Sequence, residues 1–419
     1  MRKVYLSFIG ATDYKPTIYN INDTLASENI YVQCAELEIL GSDYFDVCYF
    51  VMTPTSRDKH FDALSSRLSG MGITNIVPIE ITEELEAEQQ WSWFETILTK
   101  IDSNDAITID MTHGYRIVPI VFSAAINFLQ KAKNITIEAV YYGAYEKNKD
   151  VSPIIDMKEF YIINEWADAV SRVVEDADAR KLAAMAGKTA DFQAGELNDD
   201  QLIDALEDLT NTIRNVDIHN LSAKAGTTLK LIETKKESAS ATGKLLLDLV
   251  MDKFVALTTD EPATGRYDKS YFLMQLKIIN LLLEHKLFMQ AYTVMREFVG
   301  SIGLIEIKKA KTTNETGRKQ RNKAEIFVRM LTYEENNWNF ENNDPLYNRV
   351  KPFYDKLKNH GVDQKLRAVC KKLPDYRNGF DHAWTSKPAA YEDIEEKGRW
   401  FSDELEQTIL FLEQYGLLK

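Results

Sequence analysis

Arginine, asparagine and histidine fall in the spacing R-N-x-x-x-H at Arg377, Asn378 and His382. A histidine that titrates near neutrality can move a proton, and an arginine can hold a phosphate and the charge that grows on it. With the 2′-hydroxyl of RNA as nucleophile, such a pair suits strand cleavage without a metal. The products would be a 2′,3′-cyclic phosphate and a 5′-hydroxyl, and DNA, lacking the nucleophile, would survive. The same spacing recurs at Arg214, Asn215 and His219, so spacing alone does not choose between them. The later occurrence is preferred because it lies deep in a helical region and follows Pro374, which can open a helix. His219 then reads as a surface or packing residue. A structural alternative for the later pair is a helix-start arginine with His382 satisfied by a carboxylate such as Asp381.

A second set of residues suits binding an anion that carries bases. Residues 7–14 follow an apolar opening run and hold Phe8, Gly10, Asp13 and Tyr14. Gly10 permits close backbone approach, and Tyr14 offers a ring for stacking. Thr53, Pro54, Thr55 and Ser56 form a hydroxyl-rich loop after another apolar run. The stretch Asp110, Met111, Thr112, His113, Gly114, Tyr115, Arg116 follows the run AITI. There Thr112 and the amides after it could hold a phosphate at a helix start, with Arg116 adding charge. Gly10 could instead be only a turn, Thr55 or Ser56 only a helix cap, and His113 only a brace for its loop. One histidine and one aspartate do not make a zinc site, and no metal is expected. Neither G-x-G-x-x-G nor G-x-x-x-x-G-K-[ST] occurs, which disfavours an ordinary dinucleotide or P-loop site.

These loops need a scaffold, and the first third of the chain supplies one. KVYLSFIG, IYVQCAELEIL, FDVCYFVMT, ITNIVPIEI, AITIDMT and ITIEAVYYG are apolar runs of strand length or shorter, separated by polar or helical-period segments. Buried strands alternating with helices imply a mostly parallel α/β sheet covered on both faces. From about Trp166 the strand-like runs stop and amphipathic helical patterns continue, with Leu206, Leu209 and Ile213 at helical spacing. YFLMQLKIINLLLEHKLFMQAYTVMREFVGSI reads as two helices joined near Lys286, and later helices are expected at 324–333, 345–360, 363–372 and 392–415. The turn-rich DEPATG marks a boundary. The expected divisions are 1–165 α/β, 166–262 a helical connector and 263–419 a second all-α domain.

The 419 residues allow two or three cores, and 45% hydrophobic with 27% charged residues is a globular balance. Three irregularly spaced cysteines build neither a disulfide framework nor a zinc pair, as expected of a cytoplasmic protein. The N-terminus places positive charge before an apolar run, as a secretory signal does. That run is short, however, and meets Asp13 without a cleavage site. No stretch approaches the ~18 apolar residues of a membrane helix. A net charge of −14 argues against a general nucleic-acid coat. A local basic groove remains open at Lys308, Lys309, Lys311, Arg318, Lys319, Arg321 and Lys323, opposed there only by Glu315.

The order SFIGxxxY, YKPTIY, D-x-T-H-G-x-R and AVYYGAYE resembles the DxTHG group of CARF domains in type III CRISPR-associated proteins, over most of residues 1–160. The resemblance implies a Rossmann-like dimer that binds a cyclic oligoadenylate across its two-fold axis. The contacts would come from residues 10–14, 53–56 and 112–116. The setting of Arg377 and His382, with LLLEHKLFMQAYTVMREFVG upstream, resembles HEPN ribonuclease domains over about 263–419. There the implication is two domains forming one composite cleft, with Asn378 orienting the pair or the phosphate. Joined, the resemblances imply an endoribonuclease of antiviral CRISPR defence that needs no cofactor. It would be activated by a cyclic oligoadenylate (tetra-adenylate favoured over hexa-adenylate), would cut single-stranded RNA, and would be a homodimer or higher homo-oligomer. Two other readings keep the sensor: a ligand-binding regulator with a non-catalytic helical half, and a nuclease that opens its own ring.

Overall fold

Alternation along the opening strand explains the first layer of structure. In β1 (Lys3–Ile9), Val4, Leu6 and Phe8 enter one apolar cluster while Tyr5 and Ile9 enter another. A strand buried on both faces is the signature of a sheet sandwiched between helices. The computed structural model describes residues 1–84, 86–113, 118–147, 149–185, 197–258, 265–307, 310–312, 321–338, 345–385 and 391–418. They divide into two compact units, Met1–Glu165 and Trp166–Lys419.

In the first unit the chain continues through β2 (Ile18–Ile21), β3 (Thr24–Leu25), α1 (Val32–Leu40) and β4 (Val47–Met52). It then runs through α2 (Pro54–Ser56), a π-helical turn (Arg57–Phe61), α3 (Asp62–Gly70), β5 (Ile76–Glu80), α4 (Ala87–Lys100) and β6 (Ala106–Asp110). The unit is completed by α5 (Val118–Lys133), β7 (Thr136–Gly143) and β8 (Val151–Asp156). The eight strands lie in the order β3-β2-β8-β7-β6-β1-β4-β5. Pairing is parallel except at β2/β3 and β7/β8. Residues of α1 and α3 pack on the Tyr5 face, and residues of α4 and α5 on the Val4 face.

One expectation is corrected here. IYVQCAELEIL is not a strand: Val32–Leu40 is α1. Its Gln, Ala, Glu and Leu are good helix formers, and Val32, Gln33, Cys34, Ala35, Glu36 and Leu37 are all buried, so the apolar run reflects a helix embedded between layers. The strand β8 has only a weak sequence signal, a short run that carries Pro153 and ends in exposed Ile155 and Asp156.

Among the described residues the second unit is helical. α6 (Lys158–Asp176) begins in the first unit and ends in the second, followed by α7 (Arg180–Met185), α8 (Asp200–Arg214), α9 (Ile218–Ser238) and α10 (Ala241–Phe254). Next come α11 (Lys269–Glu284), α12 (Phe288–Ile302), α13 (Arg321–Thr332), α14 (Tyr347–Asn359), α15 (Val362–Asp381) and α16 (Tyr391–Gln414). The α11–α12 reversal turns at Lys286, with φ 56°. α15 is longer than its sequence suggests. Pro374 opens no helix but sits inside this one, so the R-N-x-x-x-H segment forms the end of a long helix and not the start of a new one. No helix among the described residues is long and apolar enough to cross a membrane.

Candidate functional sites at the sheet crevice and the end of α15

The connections leave the sheet in opposite directions on either side of β1 and β6, and open α/β sheets bind ligands at the carboxyl ends of strands at such a switch point. Parallel pairing sets Ser7 beside Asp110 there. Ser7 Oγ donates to Asp110 Oδ2 at 2.6 Å, and Gln33 Nε2 donates to Ser7 Oγ at 3.0 Å and to the Phe8 carbonyl at 3.2 Å. The backbone N–H of Thr112 donates to Asp110 Oδ1 at 2.8 Å, and Thr112 Oγ1 accepts from the Gly143 N–H at 2.8 Å. A Cβ on Gly143 would lie 2.9 Å from Val32 Cγ2 and 3.3 Å from Thr112 Oγ1, so the loop after β6 is seated by a residue without a side chain. Asp110 is thus a buried bracket for Thr112 in the loop after β6.

The loop after β1 is closed by Tyr14, whose hydroxyl donates to the Gly10 carbonyl and accepts from the Gly10 N–H, both at 2.8 Å. The ring expected to stack a base is covered on both sides. His60 lies 4.4 Å away at 19° and His113 lies 4.2 Å away at 26°. Three rings therefore form one stack over the crevice. His60 and Lys59 come from the π-helical turn, which re-aims side chains within an otherwise α-helical run. His60 Nε2 is 2.8 Å from the Thr12 carbonyl and so must carry the proton. Lys59 donates to the Ala11 carbonyl at 2.9 Å and pairs with Asp13 at 2.8 Å, which draws the exposed Asp13 carboxyl below its ordinary pKa. Burial holds His113 below the ordinary imidazole value, with His60 adding to that and Asp110 opposing it. No local pattern marked Lys59 or His60 as site residues, because a π turn has no sequence signature.

The other expected contacts divide. Phe8 is core, edge-on to Phe122 at 4.9 Å, and does not line the crevice. Thr53 and Ser56 are buried in a reciprocal capping box at the start of α2 with Pro54 at its first position, the bland alternative for this loop. Pro54 and Thr55 stay exposed, and the Thr55 N–H donates to the Glu83 carboxylate at 3.2 Å. Glu83 thereby occupies the anion position that such a helix start offers. Gly114 and Arg116 lie outside the described residues.

In the second unit, Arg377 is half-buried in the last turn of α15 and pairs with Asp381 at 3.6 Å, while Asn378 is exposed. His382 is the first residue past the helix, also exposed. Its N–H donates to the Asn378 carbonyl at 2.9 Å, and its imidazole has no hydrogen-bond partner among the described residues. Asp381 therefore serves Arg377 and does not satisfy the histidine. The turn is braced from behind: the Tyr376 hydroxyl donates to Asp393 at 2.6 Å, and Tyr292 packs against Tyr376 and Phe380. The earlier R-N-x-x-x-H match is spent on structure. Arg214 donates to the Asp176 carbonyl at 3.1 Å, Asp217 caps α9, and His219 is exposed beyond a turn with Val216 at φ 57°. The basic stretch contributes less than its composition suggests. Lys323 is buried, and burial lowers its pKa with Arg349 adding to the effect, while Lys308, Lys309, Arg318 and Lys319 lie outside the described residues. Among the described residues no group of three or more His, Cys, Asp or Glu is arranged to hold a metal ion.

No family model matches the chain. Over 246 residues, 58% of its length, it is 18% identical to the CRISPR-associated protein MJ1674 of Methanocaldococcus jannaschii, and the match spans 36% of that relative's length. Among solved structures, Enterococcus italicus Csm6 bound to cyclic hexa-2′-fluoro-hexa-dAMP is similar with a TM-score of 0.40 at 11% identity, over 98% of this chain and 93% of that one.

Proposed function

We propose that the chain is a cyclic-oligoadenylate-activated, metal-independent endoribonuclease of CRISPR-linked antiviral defence. The observation that carries this reading is an exposed His382, its imidazole without a partner among the described residues, five positions after Arg377 in the same chain as a switch-point crevice built on Asp110 and Thr112. The similarity to a CRISPR-associated protein supports the setting. In the crevice, Thr112 takes a phosphate. The stack of His60, Tyr14 and His113 must open, or lend an outer face, for an adenine to stack. Such gating requires a ring that binds one conformational state better than the other.

At the end of α15, Arg377 holds the scissile phosphate and stabilises the charge that develops on its oxygens. His382 takes the proton of the 2′-hydroxyl as that oxygen attacks phosphorus, and a protonated partner returns one to the departing 5′-oxygen. Around a helix, residues five apart lie about 140° from each other, so one copy does not turn both groups to one phosphate. A second copy supplies the missing half, in a composite cleft of a homodimer.

The test is cleavage of a fluorescently quenched single-stranded RNA in EDTA, with cyclic tetra- and hexa-adenylate added separately. Tetra-adenylate is the favoured activator. Activity that needs one ring, vanishes in His382→Ala and persists in His219→Ala is the expected result. Ring binding with no cleavage under either ring would overturn the nuclease reading and leave a ligand-binding regulator.

A further inference from the structure

Trp384 stands two residues beyond His382, where its N–H helps cap α15 while the Arg–His chemistry makes no use of its indole. After Asp381 the chain reverses through Ala383 at φ 50° and Trp384 at φ 55°. Left-handed backbone at two successive residues that carry a Cβ is unfavourable and persists only where the surroundings enforce it. Here they do. The Trp384 N–H donates to the Gly379 carbonyl at 2.7 Å, and the Thr385 N–H donates to the His382 carbonyl at 3.2 Å. The indole lies directly on Gly379, where an added Cβ would come within 2.4 Å of Trp384 Cζ3. Phe380 meets it edge-on at 5.2 Å and 74°, and Tyr376 at 6.2 Å and 77°. A glycine beneath and two edge-on rings fix the indole in place, yet it stays only half-buried beside the exposed His382.

We propose that Trp384 is a base-stacking platform for single-stranded RNA, holding an unpaired nucleobase next to the phosphate at Arg377 and His382. This rests on the ribonuclease reading above. Every base has a π-face, so the platform would tolerate sequence. It would require an unpaired strand, because a base inside a duplex is already stacked on its neighbours.

The experiment uses the full chain with its activating ring and RNA oligonucleotides in which a single abasic nucleotide is moved along either side of the cleaved bond. The wild type should show about a ten-fold rise in KM at one abasic position, the scale of losing one stacked base. Trp384→Leu should show the same rise on intact RNA and no further sensitivity to that abasic site, while Trp384→Phe should retain most of the affinity. Indifference of the wild type to every abasic position would overturn the proposal. So would a Trp384→Leu variant that loses kcat and thermal stability together but keeps the wild-type abasic profile. Fluorescence anisotropy with RNA deoxy-substituted at its cleavable positions separates this inference from catalysis. Trp384-dependent binding without cleavage of intact RNA would support the platform while sinking the nuclease, and no binding at all would sink both.

Discussion

Glu36 is fully buried under the crevice, where the Tyr5 hydroxyl donates to its Oε2 at 2.6 Å while its other oxygen finds no partner among the described residues. Burial, and then the nearby Asp110, push its pKa well above the ordinary carboxylate range, and Tyr5, Tyr19 and Tyr141 also feel its charge. Among the described residues no basic side chain lowers it, so folding favours the protonated form of Glu36. A carboxyl whose folded pKa is raised favours folding fully below its unfolded value of about 4.3, and that contribution is lost as pH rises through the folded pKa. His113 works in the other direction. Its lowered folded pKa gives stability that is present above about 6.5 and lost as pH falls through the folded value. The crevice is thus bounded on both sides. Glu36→Gln keeps the shape and neutrality of the acid, so the melting temperature of the variant should match the wild type near pH 4 and exceed it increasingly as pH rises above that. A wild type and variant that decline in parallel with pH would remove Glu36 as the source of the alkaline limb.

Helix ends carry much of the organisation of the second unit, and Arg367 shows how. From α15 it donates to the Tyr333 carbonyl at 3.0 Å, beyond the last turn of α13, and to the Tyr354 hydroxyl of α14 at 2.7 Å, with Asp363 and Glu334 each 3.6 Å away. One nearly buried guanidinium thereby joins three helices and supplies positive charge where α13 leaves carbonyls unpaired. Arg367→Met should fill similar volume yet cost about 2–3 kcal/mol, the scale of charge-assisted hydrogen bonds lost from a poorly solvated site. Chemical denaturation would read this as a lower midpoint at unchanged slope, and a loss under about half a kcal/mol would show the link to be incidental. None of this was legible in the sequence, since an arginine amid lysines looks like a solvated face. What was legible is periodic or local. β1 and β4 are readable because strands buried on both faces are continuous apolar runs. α1 was hidden because a helix buried nearly all round loses its stripe, and Pro374 misled because proline usually marks a helix start. His60 reaches the loop of Gly10 and Tyr14 from 48 residues beyond its partner Thr12, a distance no local pattern spans.

At the scale of the whole molecule, the two units pose different requirements of a partner. The crevice brackets Thr112 with residues of its own chain, whereas the end of α15 leaves the His382 imidazole without a partner among the described residues and, five residues on, about 140° around the helix from Arg377. Catalysis by one copy would require Arg377 to release Asp381 and swing through a large angle. Catalysis by two copies requires only that both helix ends meet. Dilution with an inactive copy distinguishes these. If wild-type and His382→Ala chains are co-expressed with different tags and pair at random, a copy that acts alone keeps full activity per wild-type chain whatever the ratio. A composite cleft that needs both histidines loses activity with every mixed pair, so an equal mixture should retain about half the activity per wild-type chain. Purifying mixed pairs through both tags sharpens the contrast: the composite cleft leaves them inactive with the activating ring present, and independent sites leave them half as active as the wild-type pair. Mixed pairs that cleave at half rate would therefore show that each cleavage uses a single histidine, and would overturn the cleft that needs both.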